Sequence, residues 1–468
     1  MIIEDIYYLF RNKTLNVLGV ERDFLQLLQD KDVNKALQLM TNNEEKVDKA
    51  LMEYFPDKHA VNNRPNKIRK SQSDYISIKI PRKRQKFINE VALFFLLNNR
   101  VKFTLKDKQK NEEYKVFSEF VRSIHFHTLL RQCKRLAGAE TQSALLFHIY
   151  KKEDNTPECQ PLVLSRCKGY DIRTLIDQYN IMRAFAYGYK TKQGNKTVQH
   201  WDIQTDKFII NCTHQTVGWN VEILPNPTGK INAVFVEQEK EWEGVQPLCD
   251  REEDVMCRLS DNNNYFSDPI AKASADVIDN MTSPETIGKF IQMEGDSVFD
   301  YITPPSMAEG WRMEKEDLKS AILNDSFTPD FTYEGIKGYG TLSGAALRNS
   351  LVIGYIKRSQ NLEIWEIAVE RMKSIIVSFL RLKFPLLKWD GFDVSVEFTD
   401  PFEETQEEKM QMLTTAKSNG IISTRTAVQM MSLVDDVDEE LSLIEKEHQP
   451  MKQEEPKKEE PKKEEEEQ

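Results

Sequence analysis

The sequence predicts an α+β fold, a β-rich middle between helical ends, and three observations carry that expectation. Residues 140–240 hold short apolar runs separated by polar breaks, with Ser143 to Tyr150, Phe208 to Asn211 and Ala233 to Glu237 reading as strands. Beyond Ser267 the pattern becomes strongly helical. From Leu342 to Leu382 a stripe of Leu351, Tyr355, Leu362, Trp365, Val369, Met372, Ile376 and Phe379 recurs at mostly three- and four-residue steps, the spacing of one helix face. At the α-helical rise, about 40 residues make a rod of roughly 60 Å, long enough to be an architectural element.

The other elements follow in order. Residues 1–60 place Phe24, Leu27, Leu28, Leu37 and Leu39 among charges, a helical pattern. A basic stretch comes next, with Arg64, Lys67, Arg69, Lys70, Lys79, Arg82, Lys83, Arg84 and Lys86 around Tyr75. It suits a nucleic-acid contact, and equally a solvated or inter-subunit face. Phe87 to Leu97 reads as a buried helix, Arg100 to Leu105 as a strand, and Glu113 to Ala139 as one further helix on the spacing of Phe117, Phe120, Val121, Ile124, Leu129 and Leu130. Pro385 closes the long helix, because proline cannot continue the hydrogen-bonded ladder. Val394 to Phe398 then reads as a strand, and Glu403 to Ser418 as a helix ending in a turn at Asn419-Gly420. From His448 to Gln468 there is no large apolar residue after Met451, so a disordered tail is expected.

Composition bounds the function. With 468 residues, 40% of them hydrophobic, the chain can build two or three domains around real cores. The longest clear apolar run, Val91 to Leu97, falls far short of the roughly 20 residues that cross a bilayer, so no membrane span is expected. Met1-Ile2-Ile3-Glu4-Asp5 lacks the basic start of a signal peptide. The scattered Cys133, Cys159, Cys167, Cys212, Cys249 and Cys257 lack the paired spacing of a zinc site or a disulfide framework, which suits reduced thiols in a cytoplasmic setting. A net charge of −11 argues against a protein that simply wraps nucleic acid.

No stretch of the sequence carries the motif of an enzyme, and none is expected. Gly338-Tyr-Gly340-Thr-Leu-Ser-Gly344 leads into the long helix as a dinucleotide fingerprint would, but its spacing is off and no apolar strand precedes it. The lysine of a phosphate loop is missing, and a loop capped by Thr341 or Ser343 is the better reading. His125 and His127 fall on different faces of the expected helix and cannot share a metal. Asp435, Asp436, Asp438, Glu439 and Glu440 read as a solvated face. Asn195-Lys-Thr197 and Asn211-Cys-Thr213 match a glycosylation pattern that means nothing without secretion. No cofactor and no metal are expected.

Four pieces of the C-terminal half resemble the portal proteins of siphophage-type tailed bacteriophages. Ser267-Asp268, Val277-Ile-Asp279 and Ser283 are similar to that family's first stem helix, with Met281 where the family has tyrosine. Phe299-Asp-Tyr-Ile-Thr303, Leu318 to Leu323 and Thr328-Pro-Asp330 resemble its clip strand, its second stem helix and the approach to its channel loop. Gly340-Thr-Leu-Ser-Gly-Ala-Ala-Leu-Arg348 is similar to the glycine-rich loop and SGxALK start of the family's long helix, with Arg348 replacing lysine. Lys417-Ser-Asn-Gly-Ile-Ile-Ser423 and Val434-Asp-Asp436 resemble its C-terminal region. The N-terminal half matches only in outline, and Gln292 to Trp311 looks short for a clip.

The resemblance implies a portal-type subunit in definite parts. These are an α+β wing (1–265), a first stem helix (266–291), a clip (292–313), a second stem helix (314–327), a channel loop (328–341), the long helix (342–384), a wing return strand (385–402), a helical crown (403–447) and the tail (448–468). It also implies a homo-oligomeric ring of about twelve copies at a unique capsid vertex, closed by rotational symmetry. Double-stranded DNA would pass through it during packaging and ejection. The terminase large subunit, a head-tail adaptor protein and the major capsid and scaffolding proteins would dock on it, and it would be assembled in the host cytoplasm. Lys337, Gly338, Tyr339, Gly340, Arg348 and Lys357 are the channel residues so implied. A DNA-processing enzyme of the packaging apparatus and a helical scaffold or adaptor protein without a channel are the alternatives.

Overall fold

The computed structural model describes residues 24–66, 76–194, 196–267, 271–273, 299–301, 308–332, 335, 337, 351–402, 406–431 and 440–444. They fall in two compact units divided after Pro401. The first unit holds the strands β1 (Lys102–Leu105), β2 (Gln142–Lys151), β3 (Pro157–Leu164), β4 (Asp171–Ile176), β5 (Met182–Gln193), β6 (Lys196–Gln204), β7 (Phe208–Gln215), β8 (Gly218–Pro225), β9 (Ala233–Glu237), β10 (Ala271–Ala273), β11 (Phe299–Tyr301) and β12 (Val394–Glu397). Its helices are α1 (Val33–Gln38), α2 (Glu44–Tyr54), α3 (Arg84–Leu97), α4 (Asn111–Ser123), α5 (Phe126–Glu140), α6 (Gln246–Ser267), α7 (Ala308–Asp325) and α8 (Val352–Lys383). The mixed α and β architecture predicted from the sequence is thus present.

This unit is built in layers. An antiparallel meander, β4-β5-β6-β7-β8, buries one face (Leu175, Ala184, Ala186, Trp201, Ile203, Ile210) under Phe24, Leu28, Val33, Ala36 and Leu37 of the N-terminal helical segment. Its other face (Ile172, Phe185, Tyr187) packs on Ala144 and Leu146 of the three-stranded sheet β3-β2-β9. The alternate β2 residues, Leu145 and Phe147, face the main core with α3, α5 and α8. A strand covered on both sides is apolar at every position, which is why Ser143 to Phe147 reads as a continuous run. In β5 and β6 the polar residues of the exposed ends interrupt that signal, and β3, β4 and β8 were likewise not marked by the sequence pattern.

The long helix α8 has 32 described residues, and the start expected at Leu342 lies outside the described residues. Trp365, Val369, Met372, Ile376 and Phe379 of the stripe are buried, as is Leu351 just before the helix. The helix ends at Lys383, one residue before Phe384-Pro385, and the Trp389 indole donates to the Phe384 carbonyl (3.0 Å). β12 then pairs antiparallel with β1, Phe103 opposite Val396.

Several boundaries differ from expectation. Glu113 to Ala139 is two helices, because His125 sits in a left-handed conformation (φ 51°) and turns the chain so that Phe117 and Phe126 enter one core. The apolar spacing continues across this corner, so periodicity cannot reveal it. The stretch expected as helix over 266–291 contains β10, paired with β11. Helix α6 is described as far as Ser267. The rest of that stretch, from 274 to 291, lies outside the described residues. Helix α7 starts at Ala308, inside the segment assigned to the clip, and runs through Gly310, where nothing crowds the backbone. It stops at Asp325 rather than 327, where Phe327 is left-handed (φ 52°) and the Thr328 amide donates to the Leu323 carbonyl (2.8 Å).

The second unit contains α9 (Gln406–Ser418) and α10 (Thr424–Met431). Gly420 at φ 70° makes the turn between them, with the Ile421 amide donating to the Ala416 carbonyl (2.9 Å). The left-handed position after a helix favours glycine, as Asn419-Gly420 predicted. Ser423 caps α10 by accepting from the Thr426 amide (3.1 Å). The acidic run at 435–439 and the tail at 448–468 lie outside the described residues.

Candidate functional site

The two chain ends that bracket residues 333–350 converge on helix α3. On the incoming side, the Phe331 ring lies 5.8 Å from Phe94 and 5.9 Å from Phe95. On the outgoing side, Tyr355 lies 5.7 Å from Phe95, and a Cβ added to Gly354 would stand 2.3 Å from the Phe95 ring. Only glycine allows α8 this close to α3. Asp330 accepts from the Lys319 ammonium (2.7 Å) and the Thr332 amide (3.0 Å), which fixes the approach. A Cβ on Gly335 would meet the Asp330 carbonyl at 2.2 Å, so this glycine answers a close contact. Of residues 333–341, only Gly335 and Lys337 are described, and both have helical backbone.

Behind this base lies a buried charge cluster. Lys134 of α5, fully buried, donates to Glu241 and to the Gln238 side-chain carbonyl (3.3 Å). The Gln238 amide donates to the Glu241 carboxylate (2.9 Å), and the Trp365 indole donates to Gln238 (3.0 Å). Lys357 closes the cluster, with its ammonium 3.2 Å from the Glu241 carboxylate and donating to the Glu241 carbonyl (2.6 Å) and the Ser326 carbonyl (3.2 Å). Burial alone would raise the Glu241 carboxyl, but the Lys134 and Lys357 ammoniums hold it down at about 2. Lys357 therefore ties α8 to the end of α7 and to the segment after β9. Its ammonium is half-buried, and Glu241 already supplies it a counter-charge inside the fold.

Part of the basic stretch also finds its partners within the fold. Residues 76–84 lie along α6, whose acids take their amides and guanidiniums. Arg84 makes a bidentate pair with Glu252 (2.7 and 2.8 Å), Arg64 pairs with Asp261 (3.3 Å), and the Ile78 amide donates to Asp261 (3.0 Å). Lys79, Lys83 and Lys86 remain exposed, and 67–75 lies outside the described residues.

His59 is a further buried titrating group. Its Nδ1 is 2.7 Å from the Glu253 carboxylate and its Nε2 is 2.8 Å from the Glu53 carbonyl. Both neighbours only accept, so both ring nitrogens must carry protons. Burial pulls the imidazolium down, but Glu253, with Glu53 and Asp250 nearby, raises it above the ordinary 6.5 overall. A raised folded value gives stability that is complete below pH 6.5 and is lost as pH rises through the folded value. The melting temperature should fall as pH rises through that range, and the fall should be smaller in His59→Gln. Equal pH profiles for the two proteins would show that His59 is neutral in the fold.

The remaining channel residues are placed only in part. Lys337 is exposed, while Gly338, Tyr339, Gly340 and Arg348 lie outside the described residues. The sequence reading missed Lys134, Gln238 and Glu241. The signal available was Lys134 itself, which shares a helix face with the apolar Leu130 and Ala137. Among the described residues no cluster of His, Cys, Asp or Glu could hold a metal ion. Burial pushes the Cys133, Cys159, Cys212 and Cys249 thiols up to about 12, far from nucleophilic thiolates at neutral pH. No described helix is long and apolar enough to cross a membrane.

Among solved structures, a chain of "Neck of native GTA particle computed with C12 symmetry" is similar, at 10% identity over 84% of this chain and 94% of that chain, with a TM-score of 0.41. A chain of "Neck of empty GTA particle computed with C6 symmetry" is similar at 9% identity over 77% and 96%, with a TM-score of 0.40. No curated protein sequence matches. The family described as "Phage portal protein, SPP1 Gp6-like" matches residues 31–454, a span that takes in both compact units and all four segments whose sequence resembles a portal subunit, and the chain belongs to that family.

Proposed function

We propose that this chain is the subunit of a portal ring at a unique capsid vertex, a structural channel for double-stranded DNA during packaging and ejection, and not an enzyme. The family match over residues 31–454 carries the reading. The convergence of Phe331 and Tyr355 on Phe95 supports it, because a segment pinned at both ends to one place can project from a rigid body. In this reading 266–291 and 314–327 form the stem, 292–313 the clip, 1–265 with the return strand at 385–402 the wing, and 403–447 the crown. About twelve copies close by rotation. Residues 333–350, with Lys337, Gly338, Tyr339, Gly340 and Arg348, face the channel. A chain of net charge −11 gives phosphates little overall attraction, so a moving duplex is steered by few cations and not trapped. The terminase large subunit and the head-tail adaptor dock at the clip, and the capsid and scaffolding proteins at the periphery.

Negative-stain imaging of the purified protein tests this directly. Rings with a central hole are expected, and native mass measurement should give one large closed oligomer. A stable monomer at working concentration across salt conditions would sink the portal reading and favour a scaffold or adaptor protein.

A further inference from the structure

Glu140, the last residue of α5, is a fully buried carboxyl without a balancing cation. Glu241 and Glu252, comparably buried, are ion-paired with Lys134 and Lys357 and with Arg84. Among the described residues no lysine or arginine pairs with Glu140. Its Oε2 accepts from the Cys167 amide (3.1 Å), and its Oε1 has no hydrogen-bond partner among them. The cover over it is thin, a single turn at Arg166–Lys168 between β3 and β4, and Cys167, Lys168 and Gly169 are exposed. Both cations of the turn are engaged elsewhere. The Arg166 guanidinium pairs with Glu44 and Asp48 of α2, and the Lys168 ammonium donates to Gln132 (3.3 Å). The turn is closed by the Cys167 amide on Glu140, the Lys168 and Tyr170 amides on the Ser165 carbonyl (3.1 and 3.0 Å) and the Gly169 amide on the Arg166 carbonyl (2.9 Å). Gly169, at φ 86° with open space where a Cβ would stand, ends it as a hinge.

We propose that Glu140 is a proton-operated latch on this turn. With the carboxyl protonated no charge is buried, the turn lies closed, and Arg166 reaches α2. Once the proton leaves to solvent, an uncompensated negative charge sits in a dry site at the carbonyl end of α5, which disfavours it. The easiest relief is for the turn to lift and admit water, which draws Arg166 away from Glu44 and Asp48. Burial pushes the Glu140 carboxyl up to about 7, against the Ser165 hydroxyl and the Cys167 and Arg166 amides, which favour its ionised form. Burial also pushes the Cys133 and Cys167 thiols up to about 12 and raises the Tyr54 phenol of α2. The other charges in this packing are Lys58 and Asp171, with Asp171 3.7 Å from Arg173, Glu90 of α3 paired with Arg135, and Glu237 of β9 paired with Lys46. A closed-state value above the ordinary 4.5 favours the closed turn fully below pH 4.5, and that advantage is lost as pH rises to about 7.

Hydrogen exchange of the full-length chain, read by mass spectrometry from pH 5 to pH 8 and corrected for the intrinsic pH dependence of exchange, tests the latch. In wild type the amides of 167–170 should lose about tenfold or more of their protection over that range, while those of Leu145 and Leu146 in β2 keep theirs. Glu140→Gln removes the ionisation and should flatten the profile of the turn. His59→Gln removes a second buried titrating group and should leave the wild-type slope in place. A flat wild-type profile would overturn the inference without any variant. So would a slope that survives in Glu140→Gln or vanishes in His59→Gln, or a loss of protection shared equally by β2, which would report opening of the whole unit.

Discussion

Glu241→Ala should destabilise the first unit by about 3–5 kcal/mol, the cost of leaving a buried charge without its partner. Glu241 is 3% exposed and is the counter-charge to Lys134, which has no exposure at all, and to Lys357. Removing the carboxylate strands the Lys134 ammonium in a dry core and unties Lys357 from the end of α7. Glu241→Gln keeps a hydrogen-bonding group but no charge, so it should fall between wild type and alanine. The acid side of the pH profile provides an independent check. A carboxyl held at about 2 contributes stability that is full above its ordinary 4.5 and decays as pH falls toward 2. Urea unfolding followed by tryptophan fluorescence would show the loss at neutral pH, and the difference from Glu241→Ala should shrink on acidification. A loss below about 1 kcal/mol would mean that water or relaxation replaces the pair.

The fold was legible where one covering surface leaves one periodicity, and illegible where two surfaces or a corner intervene. Trp365, Val369, Met372, Ile376 and Phe379 keep a helical step because a single stripe of α8 meets the core. β2 was visible because both its faces are buried, whereas β5 and β6 mix buried centres with exposed ends. The corner at His125 was invisible because Ile124 and Phe126 carry the apolar pattern straight through a change of direction. For the site, the sequence showed charges but not their partners. Lys357 looked free to meet phosphate, yet Glu241 and Ser326, which occupy its ammonium, are far away along the chain. Arg84 and Arg64 looked like a basic patch until Glu252 and Asp261 of α6 were brought against them. Long-range pairing of this kind follows from packing, which local composition does not encode.

Trp365→Ala is expected to cost a further about 3–5 kcal/mol on its own, the range for emptying a large, fully buried aromatic site. Trp365 is 0% exposed in the main core, and its indole also holds Gln238 in the orientation that lets the Gln238 amide bond Glu241. Two effects are therefore combined, and Trp365→Phe separates them. It keeps most of the apolar volume while removing the indole donor, so it should cost about 1–3 kcal/mol, the penalty for an under-satisfied buried acceptor. Because Trp365 reaches Glu241 through Gln238, Trp365→Phe and Glu241→Ala should not be additive. The double variant should lose less than the sum of the two single losses, by about 0.5–3 kcal/mol, as members of one hydrogen-bonded network do. Urea unfolding of the four proteins closes that cycle. Strict additivity would mean that Gln238 keeps its orientation without the indole, and that the long helix and the charge cluster stabilise the unit independently.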